Sequence, residues 1–196
     1  MTTHQHHDDA MNDVTYSNEV KEFREEKDHF FATSRQSPIP HEERHNGFGG
    51  LNYFPPDPAF RVVAEVAPFA QPEVVQMATS TGDIRPQLRY AELRFRIGDR
   101  DLRLVGFTDP DDAAAPEELF VPFRDATSGH DTYGAGRYLE IAVMRDETGT
   151  PSAIIDFNLA YNPYCAYSPY YNCPIPPAEN TLPIAITAGE RNYGDH

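Results

Sequence analysis

From residue 88 to residue 107 the chain alternates. Leu93, Phe95 and Ile97 fall on one side of an extended segment, and Glu92, Arg94 and Arg96 fall on the other. A period of two is the signature of a strand with one dry and one wet face. Gly98-Asp99-Arg100-Asp101 supplies a turn, and Leu102 to Phe107 returns as the second arm of a hairpin. Similar short β-rich runs recur at Phe60–Val66, Glu73–Thr79, Leu119–Phe123, Arg137–Arg145, Ser152–Asn158 and Leu182–Thr187, for about eight predicted strands. Gly82-Asp83 marks one turn and Asp146 to Pro151 another, with Gly149 suited to positive φ.

One segment keeps a different period. Tyr16, Val20, Phe23, Lys27, Phe30 and Phe31 recur at three/four spacing, while Glu22, Arg24, Glu25 and Glu26 lie opposite. This predicts a helix over about 17–34, with Ser17 as N-cap and Glu19 and Glu22 near its positive end. Such a helix needs a surface to pack on. The preceding residues 1–14 are polar, contain His4, His6 and His7, and read as a disordered acidic tail with no metal role. Residues 37–58 are rich in Pro and Gly. His41 and His45 have the i, i+4 spacing of metal ligands on a helix, but Pro38, Pro40 and Gly47 leave little room for one, so a solvated pair is expected.

With no βαβ rhythm and no repeat, the pattern predicts one mainly β (α+β) domain over 15–196. Its expected form is an antiparallel curled sheet or small β-barrel with the single N-terminal helix packed on it.

Composition refines this picture. The 196 residues carry a formal charge of −15, with 18 prolines and 12 glycines, as expected of many turns. An acidic surface repels phosphate backbones and anionic lipids, so neither nucleic acid nor membrane is an expected partner. Lys21 and Lys27 are the only lysines. Acid excess with scarce lysine fits a protein that stays hydrated in concentrated salt, and a halophilic source is expected. No apolar run has the length of a membrane span and the N-terminus lacks a signal-peptide pattern, so a cytoplasmic location is expected.

Candidate chemistry is concentrated between Leu119 and Asn180. Arg124-Asp125 follows a predicted strand, then come Thr127, Ser128, Thr132 and Tyr133, and Gly134-Ala135-Gly136 leads into Arg137-Tyr138. The two glycines let the backbone approach another strand or a ligand, but they open a strand, which excludes a dinucleotide fingerprint. Asp156 and Asn158 share one strand face, with Tyr161, Asn162, Glu179 and Asn180 further on. These residues suit two arrangements, a ligand-facing cluster or a structural lock of Arg–Asp pairs. Asp125, Asp156 and Glu179 also supply carboxylates for acid/base work, without spacing that fixes a pair. Ser128, His130 and Asp131 are sequence neighbours, an arrangement unlike a triad assembled from distant segments. Cys165 and Cys173 lie eight apart and suit a facultative disulfide better than zinc, for which no further ligands are near. No complete cofactor motif can be written, so no cofactor or metal is assigned.

The runs FVPFRDATSG, TYGAGRYL, DFNLAYNPYCAYSPYYNCPIPPAEN and LPIAITAGE resemble the DUF1684 family of uncharacterised archaeal and bacterial proteins. Weaker likeness extends through KDHFF, SPI and GLNYF, so the resemblance covers about Tyr16 to Arg191. It implies that the polar cluster belongs to a family pattern, and it brings no catalytic assignment. The expected function is binding of a small polar or anionic ligand, with Arg124 and Arg137 meeting its anionic group, Asp125, Asp156 and Asn158 orienting it, and Tyr133, Tyr138 and Tyr161 as walls. The rivals are a hydrolase or isomerase with a carboxylate base, and an interaction module using the helix.

Overall fold

The computed structural model describes residues 3–112 and 115–194. Six antiparallel strands close into a barrel in sequence order: β1 (Arg61–Ala78), β2 (Ile84–Ile97), β3 (Arg100–Thr108), β4 (Glu118–Phe123), β5 (Arg137–Arg145) and β6 (Pro151–Asp156). The ladder between β1 and β6, from Arg61↔Asp156 to Glu65↔Ser152, closes it. Closure removes the sheet edges that an open sheet would have to protect.

The alternation read from the sequence governs the interior. Leu93, Phe95, Leu102, Leu104, Val121, Phe123, Leu139, Ile141, Ile155 and Phe157 are buried in one cluster. Phe157 packs edge-on against Phe123, with ring centres 5.3 Å apart, and tilted against Phe95. Leu182, Ile186 and Ala188 join the same cluster. The barrel is therefore filled with side chains, as a narrow barrel must be.

Two expectations about strands change. Phe60–Val66 and Glu73–Thr79 belong to one long strand, β1, whose pairing with β2 shifts register between Pro68 and Glu73. Pro68 and Pro72 are tolerated because the β6 ladder stops at Glu65, which leaves that edge without a rung to lose. Leu182–Thr187 is not a strand, and the chain bends at Pro183 and Ile184.

The helix α1 (Thr3–Thr33) begins well before Ser17, so the segment read as a disordered tail is helical from Thr3 and Ser17 is not a cap. The side chains of His4, His6 and His7 lie outside the described residues. The packed face runs through Tyr16, Val20, Arg24, Lys27 and Phe31. Phe23 and Phe30, placed on the apolar stripe by their spacing, are 46% and 38% exposed. A one-turn helix, α2 (His41–His45), also forms where prolines argued against it, because Pro40 occupies the N-cap, where no N–H is needed and its carbonyl accepts from the Arg44 N–H. It brings the Nε2 atoms of His41 and His45 to 2.8 Å on an exposed face.

Candidate functional site

The polar residues of 119–180 do not converge on one opening. Their centre is a sealed pair. Arg137 and Asp125 are linked by an Nη2–Oδ2 bond of 2.9 Å, and both side chains have no solvent exposure. Nη2 also donates to the Ile186 carbonyl (2.9 Å), and Nη1 donates to those of Ala188 and Glu190. The second carboxylate oxygen of Asp125 accepts from the Thr127 N–H (2.7 Å), the Thr127 hydroxyl (2.6 Å) and the Ile186 N–H (3.3 Å). Thr127 in turn meets the Thr132 hydroxyl at 2.9 Å, and Ser128 Oγ accepts from the Asp125 N–H. Burial lowers the pKa of Arg137, and the Asp125 charge opposes that shift. The protein itself supplies partners to both Nη atoms of Arg137 and both carboxylate oxygens of Asp125, and only the buried Arg137 Nε has none. Arg137, Asp125, Thr127 and Thr132, which the sequence reading turned toward a ligand, are buried here and fasten residues 186–190 across the barrel end. Arg124, half-buried, donates to the Ala135 carbonyl at 3.2 Å.

Other members of the cluster are brought elsewhere. Asp156 points outward, accepts from Tyr16 Oη at 2.7 and 2.8 Å, and anchors α1. The side chain of Asn158 bonds to both the N–H and the carbonyl of Asp57, and its own carbonyl accepts from Arg24. Asn180 is buried and donates to Val105 and Pro122 carbonyls while accepting from the Val105 N–H. It bridges β3 and β4, which share a single registered pair, Phe107↔Phe120. Asn162 binds the Arg191 carbonyl, and Glu179 pairs with Arg89 at the surface. His130 and Asp131 are exposed.

An open site lies outside the barrel, between α1 and the loop 161–174. It is a groove of about 750 Å³ whose wall includes Tyr138 and Tyr161 from the predicted cluster, with Phe120, Tyr164 and Tyr171. Phe120 and Tyr138 meet edge-to-face at 4.9 Å, Tyr138 and Tyr161 at 5.8 Å, and Tyr164 and Tyr171 at 5.2 Å. Polar tips are tied down: Tyr138 Oη donates to the Pro174 carbonyl and Tyr161 Oη to Glu140 at 2.7 Å. Burial raises the pKa of both phenols, so they stay protonated donors at neutral pH. Lys27 enters from α1 and lies over the Phe31 and Tyr161 rings. Its ammonium bonds to the buried carboxylate of Glu190, which also accepts from Tyr167 Oη and the Asn162 N–H. Arg85 donates to the Asn172 carbonyl at 2.8 Å, leaving further guanidinium donors on a groove-lining residue. Glu140 is accessible at the rim. Partial desolvation of the carboxylate raises its pKa, and the Tyr161 hydrogen bond opposes that shift.

Beside the groove, Tyr133 Oη lies 3.7 Å from Cys165 Sγ, and the Cys165 N–H points at Cys173 Sγ from 3.3 Å. Both cysteines are free thiols. Among the described residues there is no cluster of three or more metal-ligating side chains.

The sequence of residues 46–191 matches a family described as a protein of unknown function, DUF1684. The chain belongs to the DUF1684 family. A DUF1684-like architecture is already known in a solved structure, the uncharacterized protein from gene locus rrnAC0354 of Haloarcula marismortui, determined by solution NMR. It is 43% identical to this chain, aligns over 95% of this chain and 99% of its own, and superposes with a TM-score of 0.70. No curated protein matches. The Arg137–Asp125 lock, both cysteines and most of the groove lie within the DUF1684 match, whereas Phe23, Lys27 and Phe31 come from α1 before it.

Sequence reasoning missed Arg85, Glu140 and Glu190, which sit in unremarkable strand or loop contexts. Lys27 carried a usable signal: a lysine on the apolar stripe of a helix needs a buried partner, and Glu190 is that partner.

Proposed function

We propose that the protein binds a small molecule with a flat apolar body and an anionic group in the groove between α1 and the barrel wall. The observation that carries this reading is the combination of perpendicular aromatic rings with the two cationic residues Lys27 and Arg85 in one 750 Å³ recess. That is the composition of a ligand pocket: apolar walls with a few placed polar groups. The rings supply the area, and Arg85, whose donors are only partly used, supplies forked hydrogen bonds to a carboxylate or phosphate. The polar or anionic ligand expected from sequence is retained, and its position moves from Arg124 and Arg137 to this groove.

The chain has no tryptophan, and four of its 11 tyrosines, Tyr138, Tyr161, Tyr164 and Tyr171, line the groove, so tyrosine fluorescence responds to a ligand bound there. Titration with a panel of aromatic carboxylates should give saturable quenching, and native mass spectrometry of freshly purified protein should show a bound small anion. Arg85→Ala should weaken binding by about 10-fold or more, from loss of a charge-assisted hydrogen bond of roughly 1.5–3 kcal/mol. Affinity should rise as pH falls through the raised pKa of Glu140, because protonation removes a negative charge from the rim. Absence of saturable quenching and of any carried ligand would refute the reading.

A hydrolase or isomerase is the second reading. It is favoured by Glu140, a carboxyl of raised pKa beside a phenol in the groove, whereas Asp125 and Asp156 are occupied by Arg137 and Tyr16. Turnover lost in Glu140→Gln with binding retained would identify it.

We further propose that the acidic, lysine-poor surface is an adaptation to concentrated salt. Its support is the −15 charge, whose self-repulsion salt screens. Urea midpoints should be higher in molar potassium chloride than in millimolar salt, and equal midpoints would rule it out.

A further inference from the structure

We infer that Cys165 and Cys173 form a thiol–disulfide exchange site on the flank of the groove, with small-molecule disulfides as the oxidant. The loop from Pro163 to Ile175 turns the two residues toward each other. At its first end, the single 3₁₀ turn Tyr164–Ala166 is held by Tyr167, which is buried against Phe31. At the other end, the Cys173 N–H donates to Ser80 Oγ (3.1 Å), the Cys173 carbonyl accepts from the Ser80 N–H (2.9 Å), and the Ile175 N–H donates to Ala78 (2.8 Å). One end is packed on α1 and the other is fixed at the end of β1, so the approach of Cys173 Sγ to Cys165 is a property of the fold.

The two sulfurs are unequal. Cys165 is half-buried and reachable from solvent, while Cys173 is buried and lines the groove. Cys165 Sγ receives the Tyr133 hydroxyl as a donor at 3.7 Å, which favours the thiolate there, and the Cys165 N–H donates to Cys173 Sγ at 3.3 Å, which brings the second sulfur against Cys165. Its pKa is lowered to about 6, chiefly by the Cys173 hydrogen bond, and that of Cys173 is raised by the same contact. An accessible thiolate with a second thiol behind it is the arrangement of an attacking and a resolving cysteine.

The reaction runs in two displacements. The Cys165 thiolate attacks one sulfur of R–S–S–R. A Cys165–S–S–R bond forms, the original S–S bond breaks, and RS⁻ leaves and takes a proton from water. Cys173 then loses its proton to solvent and attacks Cys165 Sγ, expelling the second RS⁻, which is protonated in turn. The two protein thiols are oxidised to one disulfide, and the small disulfide is reduced to two thiols.

The test uses the full chain, fully reduced, with hydroxyethyl disulfide as the probe. Wild-type protein should lose both titratable thiols, lose two hydrogens by intact mass, and yield one Cys165–Cys173 cross-linked peptide. Cys173→Ser should stop at one mixed disulfide on Cys165, and Cys165→Ser should react at least 10-fold more slowly. The rate of the first step should rise with pH around 6, below the range of an ordinary thiol near 8.5. A mixed disulfide that persists in the wild type, faster reaction at Cys173, cross-linking between chains, or no reaction in the folded state would each overturn the proposal. None of these readouts requires a ligand in the groove, so the inference stands or falls apart from the binding reading.

Discussion

Arg137→Ala should lower stability by about 3–5 kcal/mol, the usual consequence of removing one partner from a buried ion pair. The loss does not measure what the pair contributes. It measures what is left behind: a fully buried Asp125 carboxylate, together with Ile186, Ala188 and Glu190 carbonyls without their donor. For a domain of this size each kcal/mol corresponds to roughly 2–4 °C in the midpoint, so thermal unfolding should fall by about 6–20 °C. Arg137→Lys should recover only part of this, because one ammonium has three donors and the guanidinium serves four acceptors. Asp125→Ala and the double variant complete a cycle in which the two changes should be strongly non-additive. The measurement is urea unfolding of the four proteins. A fold unchanged in stability after Arg137→Ala, with only ligand binding lost, would return Arg137 to the list of ligand-contacting residues.

The same guanidinium explains why part of the fold was hidden from the sequence. The alternation of Leu182, Ile184 and Ile186 is that of a strand. A strand, however, is defined by the destination of its backbone groups. Here the carbonyls of 186, 188 and 190 go to Arg137, and the Ile186 N–H goes to the Asp125 carboxylate. Leu182 and Ile184 each share one backbone bond with Arg124 and Ala126, but around Ile186 and Ala188 side chains replace a neighbouring strand, and no local pattern reports such a substitution. The β2–β3 hairpin was legible for the opposite reason. Its partners are adjacent in sequence, its turn contains Gly98 at positive φ, and its dry face needs only alternation. Helix α1 was legible as a helix but not in its facing. Its spacing placed Phe23 and Phe30 inward, whereas Arg24 takes a buried position because the Phe54 and Asn158 carbonyls lie within reach of its guanidinium. Polar groups can occupy a packed face when their partners come from distant loops, and those partners are invisible to periodicity. The candidate cluster is dispersed in the fold on the same ground. Arginines and acids that satisfy one another look identical in sequence to arginines and acids that await a ligand.

Gly136→Ala should be one of the most damaging single-methyl additions, and it decides what the glycine pair before β5 is for. Two readings fit a glycine there: close approach of another strand, or close approach of a ligand. The backbone of Gly136 has φ +104°, a region an L-residue enters only at a cost of about 1–3 kcal/mol. A Cβ at this position would also lie 2.5 Å from the Phe123 carbonyl oxygen, 2.8 Å from Pro176 and 3.0 Å from Arg124. The carbonyl belongs to the end of β4, so backbone rather than a flexible tip would have to move. The neighbour that needs the space is therefore the adjacent strand. Displacement would reach the next residue, Arg137, and loosen all four of its bonds, so the loss should exceed the conformational term alone and amount to about 3 kcal/mol or more. Gly134→Ala is the control. Its added Cβ meets only Gly129 atoms at 3.5 Å or beyond, and its φ is not positive, so its effect should stay below about 1 kcal/mol. Comparable urea midpoints for the two variants would mean that β4 and β5 tolerate separation at this point. The Arg137 lock would then not depend on their close approach.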